Sequence, residues 1–217
     1  EEQNLLIKST KSFVKNELMQ HEGLLEKTDN LPKELYQEIK KKSQELGLYA
    51  CNMPTEYGGG GLNAFDLTII EKELGHTSLA LAEIAWRPQN ILMACTGKLI
   101  DEYLKPATTG ERKDCIAMTE PEAGSDLRGM KTNAVQSGDD WTINGTKHFI
   151  SNAHISDFVV LFTSTGKDEK GRNLLSCFLV DLDLPGVEVA KGYDCVSHRG
   201  YVNNIIHFND CKIPAAN

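Results

Sequence analysis

With 217 residues, 40% of them hydrophobic and 25% charged, the chain has a globular composition and sits at the upper end of one domain or the lower end of two. Its net charge of −8 argues against a nucleic-acid footprint, and its one basic run, Lys40-Lys41-Lys42, falls in a helical pattern and reads as a solvated helix face. No stretch approaches the roughly 18 uninterrupted apolar residues of a membrane span, and no apolar signal core follows a basic start, so the chain reads as a soluble protein with no membrane span.

The first half has helical periods. From Glu2 to Gln20, Leu6, Ile7, Phe13, Val14 and Leu18 form one apolar stripe. Pro32 opens and Gly47 closes a second predicted helix, on which Leu35, Ile39 and Leu46 share a face. The four glycines 58–61 of "MPTEYGGGGL" lack the Gly-Lys-Ser/Thr ending of a phosphate loop and read as a flexible inter-helix turn. A third helix is predicted over Ala64 to Leu74. The nearly all-apolar stretch from Ser78 to Leu99, broken around Pro88, reads as two pieces of a buried helix pair. The composition shifts at "LKPATTGERKD", residues 104–114, which divides the chain into a helical domain, 1–113, and a second domain, 114–217.

The second half changes period. "NAVQSGDDWTINGTKHFISN" alternates over short runs and carries two turn signals, Ser137-Gly138-Asp139-Asp140 and Asn144-Gly145, as a hairpin or meander would. "DFVVLFT", "LLSCFLVDL" and "NNIIHF" add three more strand-like runs. The expected class is α+β, an all-helical domain followed by a small antiparallel β-barrel or sandwich. No G-x-G-x-x-G joins a strand to a helix, so a Rossmann domain is not indicated. Cysteines 51, 95, 115, 177, 195 and 211 show no C-x-x-C spacing and the histidines no H-x-x-x-H; a metal is not expected, and the thiols read as reduced and mostly buried. A start at Glu1 and a stop at "KIPAAN" make the chain read as a piece of something longer.

"MTEPEAGSDL", Met118 to Leu127, packs three carboxylates, Glu120, Glu122 and Asp126, around Ala123-Gly124-Ser125. Carboxylates in a turn are usually solvated. Small residues beside a strand end, by contrast, let backbone N–H groups and the Ser125 hydroxyl approach an anionic or carbonyl oxygen. That is recognition chemistry, not proton transfer.

Taken in order, a helical half with "PTEYGGGGL", then "MTEPEAGSDL", "WTINGTKHFISNA" and "HFNDCKIPAAN", resembles the acyl-CoA dehydrogenase flavoprotein family over essentially the whole chain, covering its N-terminal helical and middle β domains. The resemblance implies FAD as cofactor and α,β-dehydrogenation of an acyl-CoA, with hydride passing to flavin N5. It implies that Ile116 to Ser125, Gly124 among them, lie along the flavin, with Met118 and Thr119 at the isoalloxazine edge and Ser125 between the flavin pyrophosphate and the pantetheine arm of the substrate. Phe149, Ile150 and Ser151 would cover the ring face away from substrate, the Ser151 hydroxyl or amide near N5. Members commonly have Trp and Thr where this chain has Phe149 and Ser151; an aromatic plane and a small hydroxyl are kept.

In that family the catalytic base is usually a glutamate of a C-terminal helical domain, so no catalytic residue is assigned here. The chain alone is expected to bind FAD weakly or not at all and to lack desaturase activity. The resemblance further implies a homotetramer, an electron-transfer flavoprotein or similar acceptor, and a bacterial cytoplasmic or mitochondrial-matrix location. Rival readings are an acyl-CoA oxidase or desulfinase on the same scaffold, or a non-catalytic binding or assembly protein that keeps the fold without the flavin. Arg87, in an apolar stretch, calls for a partner, a structural ion pair before an acyl substrate. His198 and Arg199 read as surface loop residues, with substrate or subunit contact as the alternative.

Overall fold

The computed structural model describes residues 1–85 and 87–217, which form two compact units, Glu1–Glu111 with Cys195–Tyr201, and Arg112–Asp194 with Val202–Asn217. In the helical unit, α1 (Glu2–Phe13) runs on through a wide π turn, Val14–Leu18, and a tight turn, Met19–His21, into α2 (Glu22–Thr28). The π turn keeps the apolar stripe continuous, and Phe13, Val14, Leu18 and Leu25 all enter one core with Ile39, Ile70, Leu81 and Ile84. Each such side chain, once fully buried, contributes about 1.5–3 kcal/mol.

Pro32 caps α3 (Lys33–Glu45), and Gly47 follows its end with φ +70°. Leu46, expected on the buried face, lies past the last helical residue and is 53% exposed, because the chain has already left the helix. The helix over residues 64–74 is present as α4 (Ala64–Leu74), capped by Asn63 Oδ1, which accepts from the amides of Phe65 and Asp66 at 2.9 and 3.1 Å.

Two further expectations for this unit need correction. The stretch 78–99 does not form a buried helix pair. Its described residues hold α5 (Leu79–Ala82), a short segment, Asn90–Ala94, with Ile91 and Met93 substantially exposed, and the start of a further helical turn at Lys98 and Leu99. Pro88 lacks the amide a helix needs there, and Trp86 of the same stretch lies outside the described residues. Nor are glycines 59–61 flexible. Their amides donate to the carbonyls of Pro54, Ala50 and Met53, and a Cβ on Gly59 would sit 2.2 Å from the Met53 carbonyl oxygen. The loop is glycine-rich because it folds onto its own backbone.

Arg87 forms an ion pair with Glu71, as expected of a structural role. The segment 195–201 is a surface loop, as expected of His198 and Arg199, and it is held at one end. Asp29, in the left-handed conformation that ends α2, accepts from the Gly200 amide at 2.7 Å and from Arg199 Nη1 at 3.1 Å, while Tyr201 packs on the helical core. His198 is exposed, its Nδ1 2.6 Å from Ser197 Oγ. The unit also contains α6 (Lys105–Thr109).

The second unit is a seven-stranded sheet of β1 (Asp114–Ala117), β2 (Asn133–Ser137), β3 (Asp140–Ser151), β4 (Phe158–Lys167), β5 (Asn173–Asp181), β6 (Val187–Tyr193) and β7 (Asn203–Pro214). The order is β1-β4-β2-β3-β7-β6, with β5 also on β4. β4 runs parallel to β1 and, at Asn133↔Ser164, to β2; all other neighbours are antiparallel. Alternating residues, Cys115 and Ala117, Val159 and Leu161, Phe178 and Val180, Ile206 and Phe208, build its core. Burial pushes the Cys115 thiol up to about 12 and Cys211 to about 11, so neither is a nucleophile at neutral pH.

Ser137↔Asp140 closes the β2–β3 hairpin, with Gly138 at φ +61°. Asn144-Gly145 is not a second turn. It lies inside β3 at a bulge against β7, where Gly145 has φ +146° and a Cβ would stand 2.6 Å from the Thr132 Cα. Close backbone approach, not chain reversal, is what selects glycine there. Among the described residues no helix is long and apolar enough to cross a membrane, and no cluster of His, Cys, Asp or Glu could hold a metal ion.

Candidate functional site

β1 ends at Ala117, and the loop that follows is held at three points. Glu120 and Ala123 exchange backbone hydrogen bonds of 2.8 and 3.3 Å, making a tight turn of Pro121-Glu122. Asp126 Oδ1 accepts from the Arg128 amide at 3.1 Å and caps the short turn Leu127–Gly129. The third point is the Glu120 carboxylate, which accepts from the amides of Lys131 at 2.6 Å and Thr132 at 3.0 Å and from Lys147 Nζ at 2.8 Å. Lys147 Nζ also donates to the Met118 carbonyl at 2.9 Å.

The Glu120 and Lys147 side chains are 3% and 0% exposed. Burial would push the Glu120 carboxyl up, but the hydrogen bonds from Lys147, Thr132 and Lys131 outweigh it and hold the group below its ordinary value. Burial also pulls the Lys147 ammonium down, against Glu120. The Glu120 carboxylate is therefore not an available base; its oxygens are engaged by three donors. Glu122 pairs with Lys131 on the surface, and only Asp126 acts as a cap.

The same lysine ties the loop to β3. The His148 amide donates 2.8 Å to the Thr119 carbonyl, so Met118 and Thr119 run alongside residues 147–148. A second bulge, between Lys147 and Ile150, then places Phe149 at φ +58°, a left-handed conformation that a bulky non-glycine side chain rarely adopts. Phe149 is 54% exposed. It stacks on Tyr193 at 4.8 Å between centroids and 26° between planes, and Tyr193 Oη lies 3.0 Å from His148 Nδ1.

Of the residues expected at a cofactor site, Met118, Thr119 and Phe149 are brought together by these bonds. Ile116, half-buried, alternates with the core residues Cys115 and Ala117 and so points to the other face of β1. Gly124 and Ser125 are exposed on the loop, and a Cβ on Gly124 would meet nothing within 4 Å. The Ile150 side chain is 2% exposed and belongs to the core, leaving only its backbone to meet a ligand. Ser151 pairs with Asn203 at the end of β3.

Among the described residues, the Thr119 amide and hydroxyl and the Gly124 and Ser125 amides make no hydrogen bond within the chain. The surface thus offers free donors beside an open aromatic face, suited to an anionic or carbonyl-bearing planar ligand. Sequence reasoning missed Lys147, His148 and Tyr193. A signal existed for the first: simple alternation puts Lys147 on the side of Ile143, and a lysine on an apolar face demands an acid.

Comparison with known proteins finds relatives of both parts of the chain. The family described as "Acyl-CoA dehydrogenase, N-terminal domain" matches residues 1–111, and "Acyl-CoA dehydrogenase, middle domain" matches residues 115–211. The caffeyl-CoA reductase-Etf complex subunit CarC of Acetobacterium woodii is 33% identical over all of this chain and 58% of its own length. The rat mitochondrial short-chain specific acyl-CoA dehydrogenase is 29% identical over 100% of this chain and 53% of its own. A glutaryl-CoA dehydrogenase of Mycobacterium smegmatis in complex with FADH2 superposes over 100% of this chain and 54% of its own, with TM-score 0.86 and 25% identity. The chain spans little more than half the length of these relatives. With family models matching residues 1–111 and 115–211, this chain belongs to the acyl-CoA dehydrogenase family.

Proposed function

We propose that the face carrying Thr119, Gly124, Ser125 and Phe149 holds FAD, and that the protein carrying this chain dehydrogenates an acyl-CoA thioester between its α and β carbons. The observation that carries the reading is Phe149. A bulky side chain in the left-handed region costs about 1–3 kcal/mol, and this one recovers little of that by burial, since more than half of it faces solvent. Strain retained at an exposed aromatic points to a ligand.

The residues present fit FAD. The open face of Phe149 suits an isoalloxazine ring, the free Thr119 amide and hydroxyl suit its carbonyl edge, and the exposed amides of Gly124 and Ser125 suit a pyrophosphate. Bound there, FAD would supply the acceptor for the substrate's β-hydride. Phe149 would exclude water from one ring face, with Ile150 and Ser151 extending the wall through backbone and hydroxyl. Thr119 would orient the ring edge, and Lys147, by fixing the Met118 carbonyl, would keep that edge in place. Ser125, exposed on the loop, would also reach the pantetheine arm. The relative bound to FADH2 supports the cofactor, and the relative whose name includes an Etf complex supports an electron-transfer flavoprotein or similar acceptor.

The test is Phe149→Gly in the protein carrying this chain. Glycine relieves the backbone strain, so thermal stability should hold or rise, while FAD affinity measured by calorimetry should fall about tenfold or more through the lost stacking. Loss of stability with unchanged FAD affinity would make Phe149 a packing residue and remove the reading.

A further inference from the structure

Two bulges face each other across β7. On one side the β3 bulge between Lys147 and Ile150 turns out Phe149, and Ser151 then pairs with Asn203. On the other side β6 is irregular between Lys191 and Tyr193, and Tyr193 pairs with the same Asn203. Gly192 makes the second bulge possible, since a Cβ there would lie 2.0 Å from the Asn203 carbonyl oxygen. The outcome is an aromatic pair standing in solvent, Phe149 54% and Tyr193 45% exposed, with stacked rings. Rings whose purpose was core packing would be buried; these are ordered on the surface instead.

The pair is also braced. The Tyr193 phenol meets His148 Nδ1 at 3.0 Å, and the His148 amide donates to the Thr119 carbonyl at 2.8 Å. His148 lies edge-on to Phe149, 6.1 Å between centroids and 72° between planes. Tyr193 therefore covers one face of Phe149, fixes its tilt, and is referenced through His148 to the backbone of the loop. The opposite face of Phe149 is left for a ligand.

We infer that Tyr193 is a positioning residue for ring stacking: it holds Phe149 parallel to a planar ring ligand, so that the ligand, Phe149 and Tyr193 form a three-layer stack. This rests on the FAD reading and adds to it a residue more than 40 positions away, on a strand that no candidate motif includes. The role is mechanical. Tyr193 acts through Phe149 and gives up no atom to the ligand.

The experiment measures FAD affinity and the resolution of the flavin visible bands in the protein carrying this chain and in its Tyr193→Phe, Tyr193→Leu and Tyr193→Ala variants. Tyr193→Phe keeps the ring and should lie within about threefold of the parent, whereas Tyr193→Leu and Tyr193→Ala should bind about 3- to 10-fold more weakly, with altered band shape. Melting temperature should change little in all three, because the side chain is half exposed. Parent-like affinity and spectrum in Tyr193→Leu and Tyr193→Ala would overturn the positioning role while leaving the FAD reading intact. Failure of the parent protein itself to bind FAD would overturn that reading and this inference together.

Discussion

Replacing Lys147 by methionine removes a charge but keeps most of the side-chain volume. The substitution leaves the Glu120 carboxylate in a site where its side chain is 3% exposed, with two backbone amides as its remaining donors, and leaves the Met118 carbonyl without its 2.9 Å partner. Removing one member of a buried pair typically costs about 3–5 kcal/mol. The two amides that stay on Glu120 argue for the lower end, about 3 kcal/mol, which is a large part of the stability of an ordinary domain.

Glu120→Gln should then rescue the lysine variant in part, since no charge is stranded and the one amide oxygen still accepts from one of the two backbone amides, Lys131 or Thr132, which bond to different carboxylate oxygens in the parent. The double variant should be about 1–2 kcal/mol more stable than Lys147→Met alone. Urea unfolding of all four members of the cycle measures the coupling. A cost below about 1 kcal/mol for Lys147→Met, or no recovery in the double variant, would refute the claim that the pair organises the loop.

The sign of the acid dependence follows from the same carboxylate. Because the folded-state value of Glu120 lies below its ordinary 4.5, its contribution is fully present above that value and is lost as pH falls through the folded one. The parent should therefore lose more stability than Glu120→Gln on acidification below about pH 4.5.

The other predictions concern backbone space and free donors. Gly145→Ala should cost about 2–5 kcal/mol by chemical denaturation, since φ +146° and a Cβ 2.6 Å from the Thr132 Cα add strain to overpacking. Gly124→Val should leave stability within about 0.5 kcal/mol, because nothing of the chain lies within 4 Å of the new Cβ, yet weaken FAD binding by filling the space above the loop. Thr119→Val with Ser151→Ala should weaken FAD retention or shift its potential, at about 1–3 kcal/mol for each hydrogen bond lost; unchanged flavin content and potential would remove both residues from the site.

Much of the fold was legible because local rules and tertiary packing agree there. α4 occupies the predicted residues 64–74, and Pro32 and Gly47 bracket α3, since caps and breakers act through their own backbone. The runs "DFVVLFT", "LLSCFLVDL" and "NNIIHF" are strands because continuous apolar or alternating residues have few other uses. The failures share a cause. Asn144-Gly145 and Gly58 to Gly61 read as turns because glycine's freedom is local, whereas the glycines that matter, 145, 59 and 60, answer to atoms of Thr132, Met53 and Cys51 that come near only when the chain has folded. The stretch 78–99 misled in the opposite way: its apolar content is real, but composition alone cannot tell a buried helix from a short turn with exposed Ile91 and Met93.

At the candidate site the motif marked the loop and left out its support. "MTEPEAGSDL" shows three acids as equals, but a partner 27 residues on singles out Glu120, and that partner is reached only because β3 runs beside the loop. Phe149 was expected to face a planar ligand, yet nothing local in "KHFIS" reveals a bulge; its left-handed backbone depends on β7 pairing with Lys147 on one side and Ile150 on the other. Tyr193 was invisible for the same reason, since its meaning arises from sharing Asn203 with Ser151. A motif of candidate contact residues is a local pattern of residue types and can be picked out along the chain. The residues that aim them are chosen by register, and register is settled only when the whole sheet has formed.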